Sequence, residues 1–367
     1  MTKPAFIAPG GVIGILGGGQ LGKMLAVAAS RLGLEAHIYA PENDAIARSV
    51  ACYNTVADYD DLEALAAFAK SCDVVSYEFE NVPANTAAIA AKHSKLFPGA
   101  RALEVAQDRL VEKTFLSKHV GVSVVGFADI TGADDVLAFA TDYGYPLILK
   151  TRRFGYDGKG QVKINDESGI DAALESFNGA PIIAEQFSPF VREVSIVAAR
   201  SEAGEFAAYP LIENVHNNHI LHTSTCPMDD DPMGGDTDAS NGEAKNIAKA
   251  IMDALDYIGV MATEFFQMED GSLVVNEIAP RVHNSGHFTQ NAGCTDQFEQ
   301  HIRAIAGWPL GNAVPSHKTV MTNLIGDDVD SWAELAADGV SYLHLYGKGA
   351  ARPGRKMGHV NRRVNPA

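Results

Sequence analysis

The sequence predicts an α/β and α+β protein in which a doubly wound N-terminal domain precedes regions built mainly from antiparallel strands. Strand-like and helix-like patterns alternate over residues 12–77, which is typical of a parallel sheet with helices on its faces. From residue 145 onward, short apolar runs are separated by turn residues, as in antiparallel sheets. The chain has 367 residues, of which 46% are hydrophobic, and this is enough for two or three domains.

The N-terminal domain follows a β-α-β-α-β order. Strands are predicted at residues 12–16, 36–40 and 73–77. A helix after the first strand places an apolar face toward the sheet, and a second helix is predicted at residues 61–70. This order is that of a doubly wound domain.

A glycine-rich loop, Gly17 to Gly22, follows the first strand and fits the pattern G-x-G-x-x-G. Such a loop at a helix N-terminus can bind a phosphate. A dehydrogenase would also need an acidic residue at the end of the second strand, but Glu42 lies just beyond that end, so the motif is weak support for nicotinamide binding. Glu78 and Glu80 follow the third strand, where they fit a ligand site or a solvated loop equally well.

The next region combines a charged helix, a lysine-ended strand and a glycine-rich loop. The helix is predicted at residues 108–119, and the strand at residues 145–150 ends in Lys150. The loop at residues 151–160 holds three glycines and Lys159, so it can form a cationic flap over phosphates, although a plain basic hairpin tip would look similar. Further strands are predicted at residues 162–164, 181–187, 195–199 and 207–211.

An acidic loop and a helix precede the most informative part of the chain. Residues 226–243 are rich in Pro, Gly and Asp and predict a loop, in which the run Asp229 to Asp231 is solvated rather than metal-binding. Helices are predicted at residues 244–258 and 297–306.

Residues 261–267 and 272–278 predict a β-hairpin, because both runs are rich in apolar, β-branched and aromatic residues and Asp270-Gly271 lies between them. If these two residues form the turn, Glu269 pairs with Ser272, and Glu264 then faces Glu277.

The facing carboxylates Glu264 and Glu277 predict a cation site. Like charges opposite each other repel, by about 4 kcal/mol at ~4 Å and an effective dielectric constant of ~20. Mg²⁺ shared with phosphate oxygens would remove this repulsion. Side chains of a strand alternate between its two faces, so Arg281 is expected on the same face as Glu277. A cation there would suit a phosphate or an oxyanion. The alternative is an acidic solvated hairpin.

The C-terminal residues add a basic cluster to an acidic chain. After strands predicted at residues 320–325 and 342–345, the run from Lys348 to His359 contains several cations. Such a cluster can hold a phosphate monoester, or it can be a solvated tail.

Composition excludes several classes of protein. The net charge of −17 argues against a general nucleic-acid binder. The four cysteines are far apart, as expected for reduced thiols in a cytoplasmic protein. No apolar run approaches the ~20 residues of a membrane span, so we expect neither membrane nor nucleic acid as a partner.

Taken in order, these motifs resemble the ATP-grasp superfamily, whose members clamp ATP between two α+β subdomains. The runs GGGQLG, YEFENV, GYDGKGQ, NEIAPRVHNSGH and RPGRKMGH resemble its branch of ATP-dependent carboxylases that act on 5-aminoimidazole ribonucleotide in purine biosynthesis. The last two runs are the most specific. The resemblance covers nearly the whole chain and implies domains at residues 1–108 (Rossmann-like), 109–190 (linker helix and lid), 191–314 (central, with the metal hairpin) and 315–367 (a small C-terminal unit).

The resemblance also implies the role of each site residue. ATP and Mg²⁺ would be the cofactors, with Glu264 and Glu277 as metal ligands. ATP would contact Arg109, Lys150, Gly155, Tyr156, Asp157, Gly158, Lys159, Gly160, Glu185, Gln186, Phe187, Ser188, Glu193, His216, Asn276 and Glu277. The ribonucleotide would contact Gln20, Leu21, Glu80, Tyr156, Asp157, Arg281, His283 and Asn284, and its 5′-phosphate would contact Lys348, Arg355 and Lys356. Arg281, Asp157 and Lys150 would take part in catalysis.

The implied reaction has two steps. Bicarbonate attacks the γ-phosphate of ATP, and carboxyphosphate or the CO₂ released from it is then captured by the amine of the ribonucleotide. Such chemistry depends on positioning and charge neutralisation, so no covalent residue is expected. We expect a homodimer. The sequence departs from many ATP-grasp proteins at Ala279, where they place Asn two residues after the second metal carboxylate.

Three other functions remain open. A formate-dependent ribonucleotide transformylase or a peptide ligase would share Lys150 and the glutamate pair but not the C-terminal basic cluster. A dehydrogenase has only the glycine loop in its favour. A non-catalytic nucleotide sensor would have no need of an intact Lys150, Glu264 and Glu277.

Overall fold

The structure is a computed structural model that describes residues 6–155, 158–228 and 237–364. Strands in these ranges form three sheets of five, four and nine strands. None of the described helices combines the length and apolar character needed to cross a membrane. The Asp229–Asp231 run, Tyr156 and Asp157 lie outside the described residues.

The N-terminal sheet is parallel and doubly wound, as predicted. Its strand order is β3-β2-β1-β4-β5, and its pairs are all parallel. The order reverses between β1 and β4, so the C-terminal ends of these two strands border the crevice where open α/β sheets bind ligands. The elements are β1 Val12–Leu16, α1 Gln20–Arg31, β2 Glu35–Tyr39, β3 Tyr53–Thr55, α2 Leu62–Lys70, β4 Val74–Tyr77, α3 Ala84–His93 and β5 Lys95–Leu96.

Two short helices connect this sheet to the next one, α4 at Ala100–Ala106 and α5 at Arg109–Thr114. Asp108 caps α5, because its carboxylate accepts hydrogen bonds from the backbone N–H groups of Leu110 and Val111. A turn of π-helix at Phe115–Val120 follows, so the single helix predicted at residues 108–119 is divided in two.

The four-stranded sheet has the order β6-β9-β7-β8 and is antiparallel. Its apolar face packs under two helices, and this cluster includes Val136, Phe139, Leu147 and Ile170. The elements are β6 Phe127–Ile130, α6 Ala133–Tyr143, β7 Leu147–Thr151, β8 Gln161–Ile164, α7 Ile170–Ser176 and β9 Ile182–Gln186.

The nine-stranded sheet runs β15-β14-β10-β12-β13-β16-β18-β17, with β11 paired to β10. The strands of the predicted small C-terminal unit therefore continue the sheet of the central region. The elements are β10 Arg192–Arg200, β11 Phe206–Ala208, β12 Ile212–Asn217, β13 Ile220–Cys226, α8 Thr237–Ala254, β14 Gly259–Gln267, β15 Leu273–Ala279, α9 Gln297–Ile305, β16 Thr319–Ile325, α10 Trp332–Ala337, β17 Ser341–Leu345 and β18 Lys356–Arg363. Short 3₁₀ helices lie at Ile46–Val50, Glu167–Gly169, Asn284–Gln290 and Gly326–Ser331.

The helix predicted at residues 244–258 is wrong at both ends. Helix α8 begins at Thr237, inside the predicted loop at residues 226–243, and ends at Ala254 rather than residue 258. Tertiary contacts fix its first turns: Asn241 accepts a 2.6 Å hydrogen bond from Leu211 N, and Ser240 contacts Gln267. The alternative of a solvated tail does not hold for the end of the basic run, because Lys356 to His359 belong to strand β18, which pairs with both β16 and β17.

The predicted turn of the β14–β15 hairpin is also wrong, although the predicted pair is right. Met268 N donates to Ser272 O, so three residues rather than two form the turn. Phe265 then pairs with Val275, but Glu264 pairs with Glu277, because a β-bulge lies between them. The bulge restores the register that the longer turn displaces.

Candidate functional site

Two clefts share a wall formed by Glu80, Arg281 and His283. The first cleft is also lined by Arg109, Glu112, Arg152, Phe154, Gly155 and Glu277. The second cleft is also lined by Gln20, Leu21, Glu78, Asn284, His287, Tyr346 and Lys356. The fold thus separates residues predicted to contact ATP from residues predicted to contact the ribonucleotide, and it joins the two groups at three side chains.

The bulge in β15 places Asn276 and Glu277 together on one face of the sheet. Val275 and Ile278 both pack into the same hydrophobic core, so the two residues between them lie on the opposite face. Glu277 forms a 2.9 Å ion pair with Arg109, and Glu264 lies directly across from it. This arrangement brings two carboxylates, an amide and a guanidinium to one edge of the first cleft.

The glutamate pair fits a cation. Burial and the neighbouring Glu277 raise the pKa of Glu264 to about 8, so two negative charges here are unfavourable. The Asn276 Oδ1 atom is buried and has no hydrogen-bond partner, so it is a further oxygen donor beside the pair. No group of three or more His, Cys, Asp and Glu side chains suited to a metal occurs among the described residues. The remaining ligands of a Mg²⁺ would therefore be phosphate oxygens and water.

Lys150 lies at the end of β7 beside Glu185 on β9, with 2.6 Å between Nζ and Oε2. A second lysine that the sequence reasoning missed, Lys113 on α5, lies 3.4 Å from the other oxygen of Glu185 and donates to Asn276 O at 3.2 Å. Burial would raise the pKa of Glu185, but the two lysines outweigh it and lower the pKa to about 2. Burial lowers the pKa of Lys150.

Glu112, also on α5, is a second residue that the sequence reasoning missed. Its carboxyl group is buried, accepts a 2.7 Å hydrogen bond from Ile278 N and lines the first cleft. Burial and the charge of Glu277 raise the pKa of Glu112 to about 8. Nothing in the sequence of this charged helix indicates that Glu112 and Lys113 are buried.

Other residues predicted to contact ATP follow Glu185 along the chain. Gln186 ends β9, and Phe187 is partly exposed beneath Lys163, whose Nζ lies 4.0 Å from the ring centroid. Ser188 donates to the sulfur of Met268 at 3.8 Å.

On the nine-stranded sheet, Glu193 lies 3.0 Å from Nδ1 of His216. Burial would lower the pKa of His216, but Glu193 outweighs it and raises the pKa. Neither residue lines either of the two clefts.

Within the flap at residues 155–160, the structure describes Gly155 and Gly158 to Gly160. Gly155 O accepts a 3.4 Å hydrogen bond from Arg109, which links the flap to the glutamate pair. Gly158 and Gly160 have φ of +75° and +72°, values that favour glycine. Lys159 lies between them.

The wall shared by the two clefts contains a half-buried ion pair between Glu80 and Arg281. Burial would raise the pKa of Glu80, but Arg281 outweighs it and lowers the pKa to about 2. His283 contacts Glu264 at 3.1 Å, and burial together with Arg281 lowers the pKa of His283 to about 3. Asn284 exchanges two hydrogen bonds with Asn323, which fixes it on the sheet.

The carboxylate of Glu78, which follows β4, occupies the position in the glycine-rich loop where a bound anion was expected. Gly19 N and Gly22 N donate to its two oxygens, the second at 2.5 Å. A Cβ at Gly17 or Gly19 would lie 2.3 Å from Glu78 Cγ or 2.7 Å from Glu78 Oε1, so only glycine fits. The expectation of a phosphate on this loop is wrong, because the chain's own carboxylate binds the amides. Gln20 and Leu21 face the second cleft from the same loop.

The basic cluster borders the second cleft. Lys356 lines this cleft, and Lys348 lies 5.5 Å from the ring centroid of Tyr346, which also lines it. Burial and the charges of Arg355 and Lys356 lower the pKa of Lys348 to about 8, so the three cations are close together. Arg355 donates to Ala350 O at 3.2 Å. An anion would relieve the repulsion within this cluster.

Three family descriptions match consecutive parts of the chain. Residues 11–107 match the ribonucleotide synthetase preATP-grasp domain, and residues 115–298 match the ATP-grasp domain. Residues 319–364 match the phosphoribosylaminoimidazole carboxylase C-terminal domain.

Known proteins resemble the chain over nearly its whole length. The N5-carboxyaminoimidazole ribonucleotide synthase of Brucella melitensis is 46% identical over 358 residues, which cover 97% of each chain. The crystal structure of the synthetase from Thermus thermophilus has a TM-score of 0.88 at 44% identity and covers 96% of this chain and 93% of its own. The synthase of Aspergillus clavatus, in complex with ADP and 5-aminoimidazole ribonucleotide, has a TM-score of 0.89 at 30% identity and covers 97% and 94%.

The fold, the two clefts and the domain matches define an ATP-grasp enzyme, an ATP-dependent ligase. The synthase of Pseudomonas aeruginosa, which has the same name as that of Brucella melitensis, is 41% identical over 96% of this chain and 94% of its own. The chain belongs to the N5-carboxyaminoimidazole ribonucleotide synthase family of purine biosynthesis.

Proposed function

We propose that this chain carboxylates 5-aminoimidazole ribonucleotide with ATP and bicarbonate in the two clefts that meet at Glu80, Arg281 and His283. The shared wall is the observation that supports this assignment most directly, because a group activated in one cleft must reach an acceptor in the other. The family to which the chain belongs has this activity.

In this proposal, the first cleft and the adjoining β7–β9 region bind ATP. Lys150, Lys159 and the backbone of residues 155–160 contact the phosphates. Arg109 is placed for this role, since it already joins Glu277 to the flap. The adenine lies along Glu185, Gln186, Phe187 and Ser188, the ribose binds Glu193, and His216 and Asn276 complete the pocket.

Lys113 stabilises Glu185 in this arrangement. Because it is fully buried and lies beside Glu185, Glu185 keeps a cationic neighbour when Lys150 turns toward a phosphate. Lys150 can then leave Glu185 without exposing an isolated buried charge, which would be costly.

Glu264 and Glu277 hold Mg²⁺ in this proposal, with Asn276 Oδ1 near enough in the chain to contribute an oxygen. The ion supplies charge neutralisation at the phosphates. Without the ion, burial and the negative charge of Glu277 raise the pKa of Glu264.

The second cleft binds the ribonucleotide in this proposal. Its 5′-phosphate contacts Lys348, Arg355 and Lys356, and its ring lies among Gln20, Leu21, Glu80, Tyr156, Asp157, Arg281, His283 and Asn284. Oxygen of bicarbonate attacks the γ-phosphorus and ADP leaves. The amine nitrogen then attacks the carboxyl carbon of carboxyphosphate, inorganic phosphate leaves, and a proton leaves the nitrogen.

The residues of the shared wall suit this transfer. Arg281 is a partly buried cation that lines both clefts, so it can stabilise the charge that develops on the carboxyphosphate oxygens. Glu80 keeps Arg281 in place. Asp157 is our proposal for the proton acceptor; it lies outside the described residues. We also propose a homodimer and a cytoplasmic location, which light scattering and cell fractionation would test.

The experiment that tests the function is ADP release with 5-aminoimidazole ribonucleotide, or with glycinamide ribonucleotide and formate together, each with and without bicarbonate. We expect stimulation only when 5-aminoimidazole ribonucleotide and bicarbonate are both present. ADP release that depends on glycinamide ribonucleotide and formate would instead assign the chain to the transformylases.

A further inference from the structure

A row of buried polar side chains crosses the nine-stranded sheet and ends at Glu264. Ser224 on β13 lies opposite Asn214 on β12, and Ser195 on β10 lies opposite Glu264 on β14. Ser195 and Ser224 are inaccessible to solvent, and Asn214 is buried. Buried hydroxyl and amide groups must be hydrogen-bonded, and these bond to one another.

The row forms one continuous chain of hydrogen bonds. Ser224 Oγ donates to Asn214 Oδ1 at 2.8 Å, and Asn214 Nδ2 donates to Ser195 Oγ at 2.8 Å. Ser195 Oγ donates to Ser285 Oγ at 2.9 Å, and Ser285 Oγ lies 3.0 Å from Nδ1 of His283. The other ring nitrogen, Nε2, lies 3.1 Å from Oε1 of Glu264.

The direction of this chain decides which nitrogen of His283 carries the proton. A serine hydroxyl has a single hydrogen, and Ser195 uses its hydrogen on Ser285. Ser285 therefore accepts from Ser195 and directs its own hydrogen to His283 Nδ1. The backbone N–H of Ser285 also donates to Nδ1, at 3.4 Å. A nitrogen that accepts from both groups has no hydrogen, so the proton of the neutral ring is on Nε2.

We propose that Ser195, Asn214, Ser224 and Ser285 form a positioning relay that fixes His283 as its Nε2–H tautomer, so that it donates to Glu264. One oxygen of Glu264 is then held by His283, and its other oxygen remains for a cation. Hydrogen-bond partners of metal ligands orient the ligands and tune their affinity for the metal. The tautomer follows from the contacts alone, whereas the consequence for Mg²⁺ rests on the proposed function of Glu264.

The opposite tautomer would disturb Glu264. With the proton on Nδ1, the lone pair of Nε2 would face the oxygen of an ionised Glu264, and the 3.1 Å contact would become repulsive. The carboxylate would then turn away from the position that the relay fixes. Removing the Ser195 hydroxyl permits this change, because Ser285 loses the donor that sets the direction of its own hydrogen.

The tautomer can be measured directly in the ligand-free enzyme at about pH 9, above the raised pKa of Glu264, where this carboxyl group is ionised. In protein labelled with ¹⁵N-histidine, two-bond ¹H–¹⁵N correlations distinguish a protonated from an unprotonated ring nitrogen, and a His283→Gln variant assigns the signal. We expect the wild type to show a protonated Nε2 and an unprotonated Nδ1 at His283. A protonated Nδ1 in the wild type would overturn the relay, whatever the variants do.

The variants then test the relay itself. Ser195→Ala should move His283 toward a mixture of tautomers, and Ser195→Thr, which keeps a hydroxyl, should restore the wild-type signal. The matched control is Ser76→Ala, because Ser76 is also buried and its hydroxyl contacts a histidine, His301, at 2.7 Å in another part of the fold. This control should leave the His283 signal unchanged. An unchanged His283 tautomer in Ser195→Ala contradicts the relay.

Calorimetric titration of ADP with and without Mg²⁺ separates the relay from the proposed metal site. We expect Ser195→Ala to weaken the Mg²⁺-dependent part of ADP binding by about tenfold, the lower end of the range for partners of metal ligands. ADP binding without Mg²⁺ should not change. A changed tautomer with unchanged Mg²⁺ dependence would support the relay and count against Glu264 as a metal ligand.

Discussion

At the scale of single residues, the first cleft brings several carboxyl groups close to Glu277. Glu112 and Glu264 both have a pKa raised to about 8, by burial and by the same neighbour, Glu277. The pair Glu264–Glu277 was predicted from the alternation and the Asp-Gly turn, but the count reached the right partners only because the β-bulge offsets the extra turn residue. Glu112 and Lys113 were not, because a charged amphipathic helix has the same pattern whether its polar face meets solvent or a buried cleft.

The first prediction concerns the proposed metal pair. Glu277→Gln should abolish ADP formation, since one proposed ligand is lost. Melting of the ligand-free protein should change little, because relief of the repulsion with Glu264 is offset by loss of the ion pair with Arg109. The control is Glu269→Gln, in the exposed turn of the same hairpin. Near-normal turnover of Glu277→Gln would refute the metal assignment.

The second prediction concerns pH. The pKa of Glu112 is about 8 in the folded chain against 4.5 for an ordinary glutamate, so the folded state binds this proton more tightly. Its contribution to stability is therefore complete at low pH and is lost as the pH rises toward 8, by at most about 1.4 kcal/mol per pH unit. Urea unfolding of the ligand-free protein at several pH values should show this slope.

Glu112→Gln should reduce the slope, because the amide does not titrate but still accepts the hydrogen bond from Ile278 N. Asp270→Asn, in the exposed hairpin turn, controls for a change of one carboxylate. A slope identical to that of the wild type in Glu112→Gln would show that another group titrates.

At the scale of elements, strands and helices with a clear apolar pattern were predicted within a few residues, whereas α8 and β18 were not. β1, β7 and β14 have apolar runs that need no tertiary information, whereas α8 begins in a run rich in Asp, Asn and Gly that is poor in helix formers. Contacts from Leu211 and Gln267 to its first turns stabilise it there, and these are long-range in sequence. The strand β18 was missed for a similar reason, since pairing with two neighbours outweighs its polar composition.

The third prediction concerns the flap at residues 155–160. We expect it to close over the phosphates, so trypsin should cut after Lys159 without ligand and be blocked by ATP with Mg²⁺. Lys159→Gln should lack that fragment in both conditions, which identifies the cleavage site. Equal cleavage with and without ATP would exclude closure of the flap.

At the scale of the whole molecule, the two substrates are assigned to different parts of the chain. Lys150 belongs to the four-stranded sheet. Lys356 begins β18, which lies next to the end strand β17 of the nine-stranded sheet, and Arg355 directly precedes it. Among the residues that the structure describes, only the wall of Glu80, Arg281 and His283 touches both clefts. Sequence motifs indicate the order of these parts, but their meeting at one wall depends on the fold.

The fourth prediction follows from this separation. A phosphate held by cations gains roughly 1.5–3 kcal/mol from each charge-assisted hydrogen bond. Arg355→Ala should therefore raise the KM for the ribonucleotide about ten- to hundredfold and leave the KM for ATP nearly unchanged. Lys150→Ala should show the reverse pattern. Steady-state kinetics with each substrate varied in turn measures both.

Arg352→Ala is the matched control for Arg355→Ala, because Arg352 is an exposed arginine of the same segment. It should leave both KM values near those of the wild type. An unaltered KM for the ribonucleotide in Arg355→Ala would remove the phosphate assignment.

The carboxylate of Glu78 in the glycine-rich loop has one more consequence. A group tethered to its own site acts there at an effective concentration on the order of millimolar or higher. Free phosphate and nucleotides must therefore compete with an anion that can never diffuse away from Gly19 and Gly22. The amides of Gly19 and Gly22 therefore have their partners before any ligand arrives, and the loop needs no dissolved anion to hold its conformation.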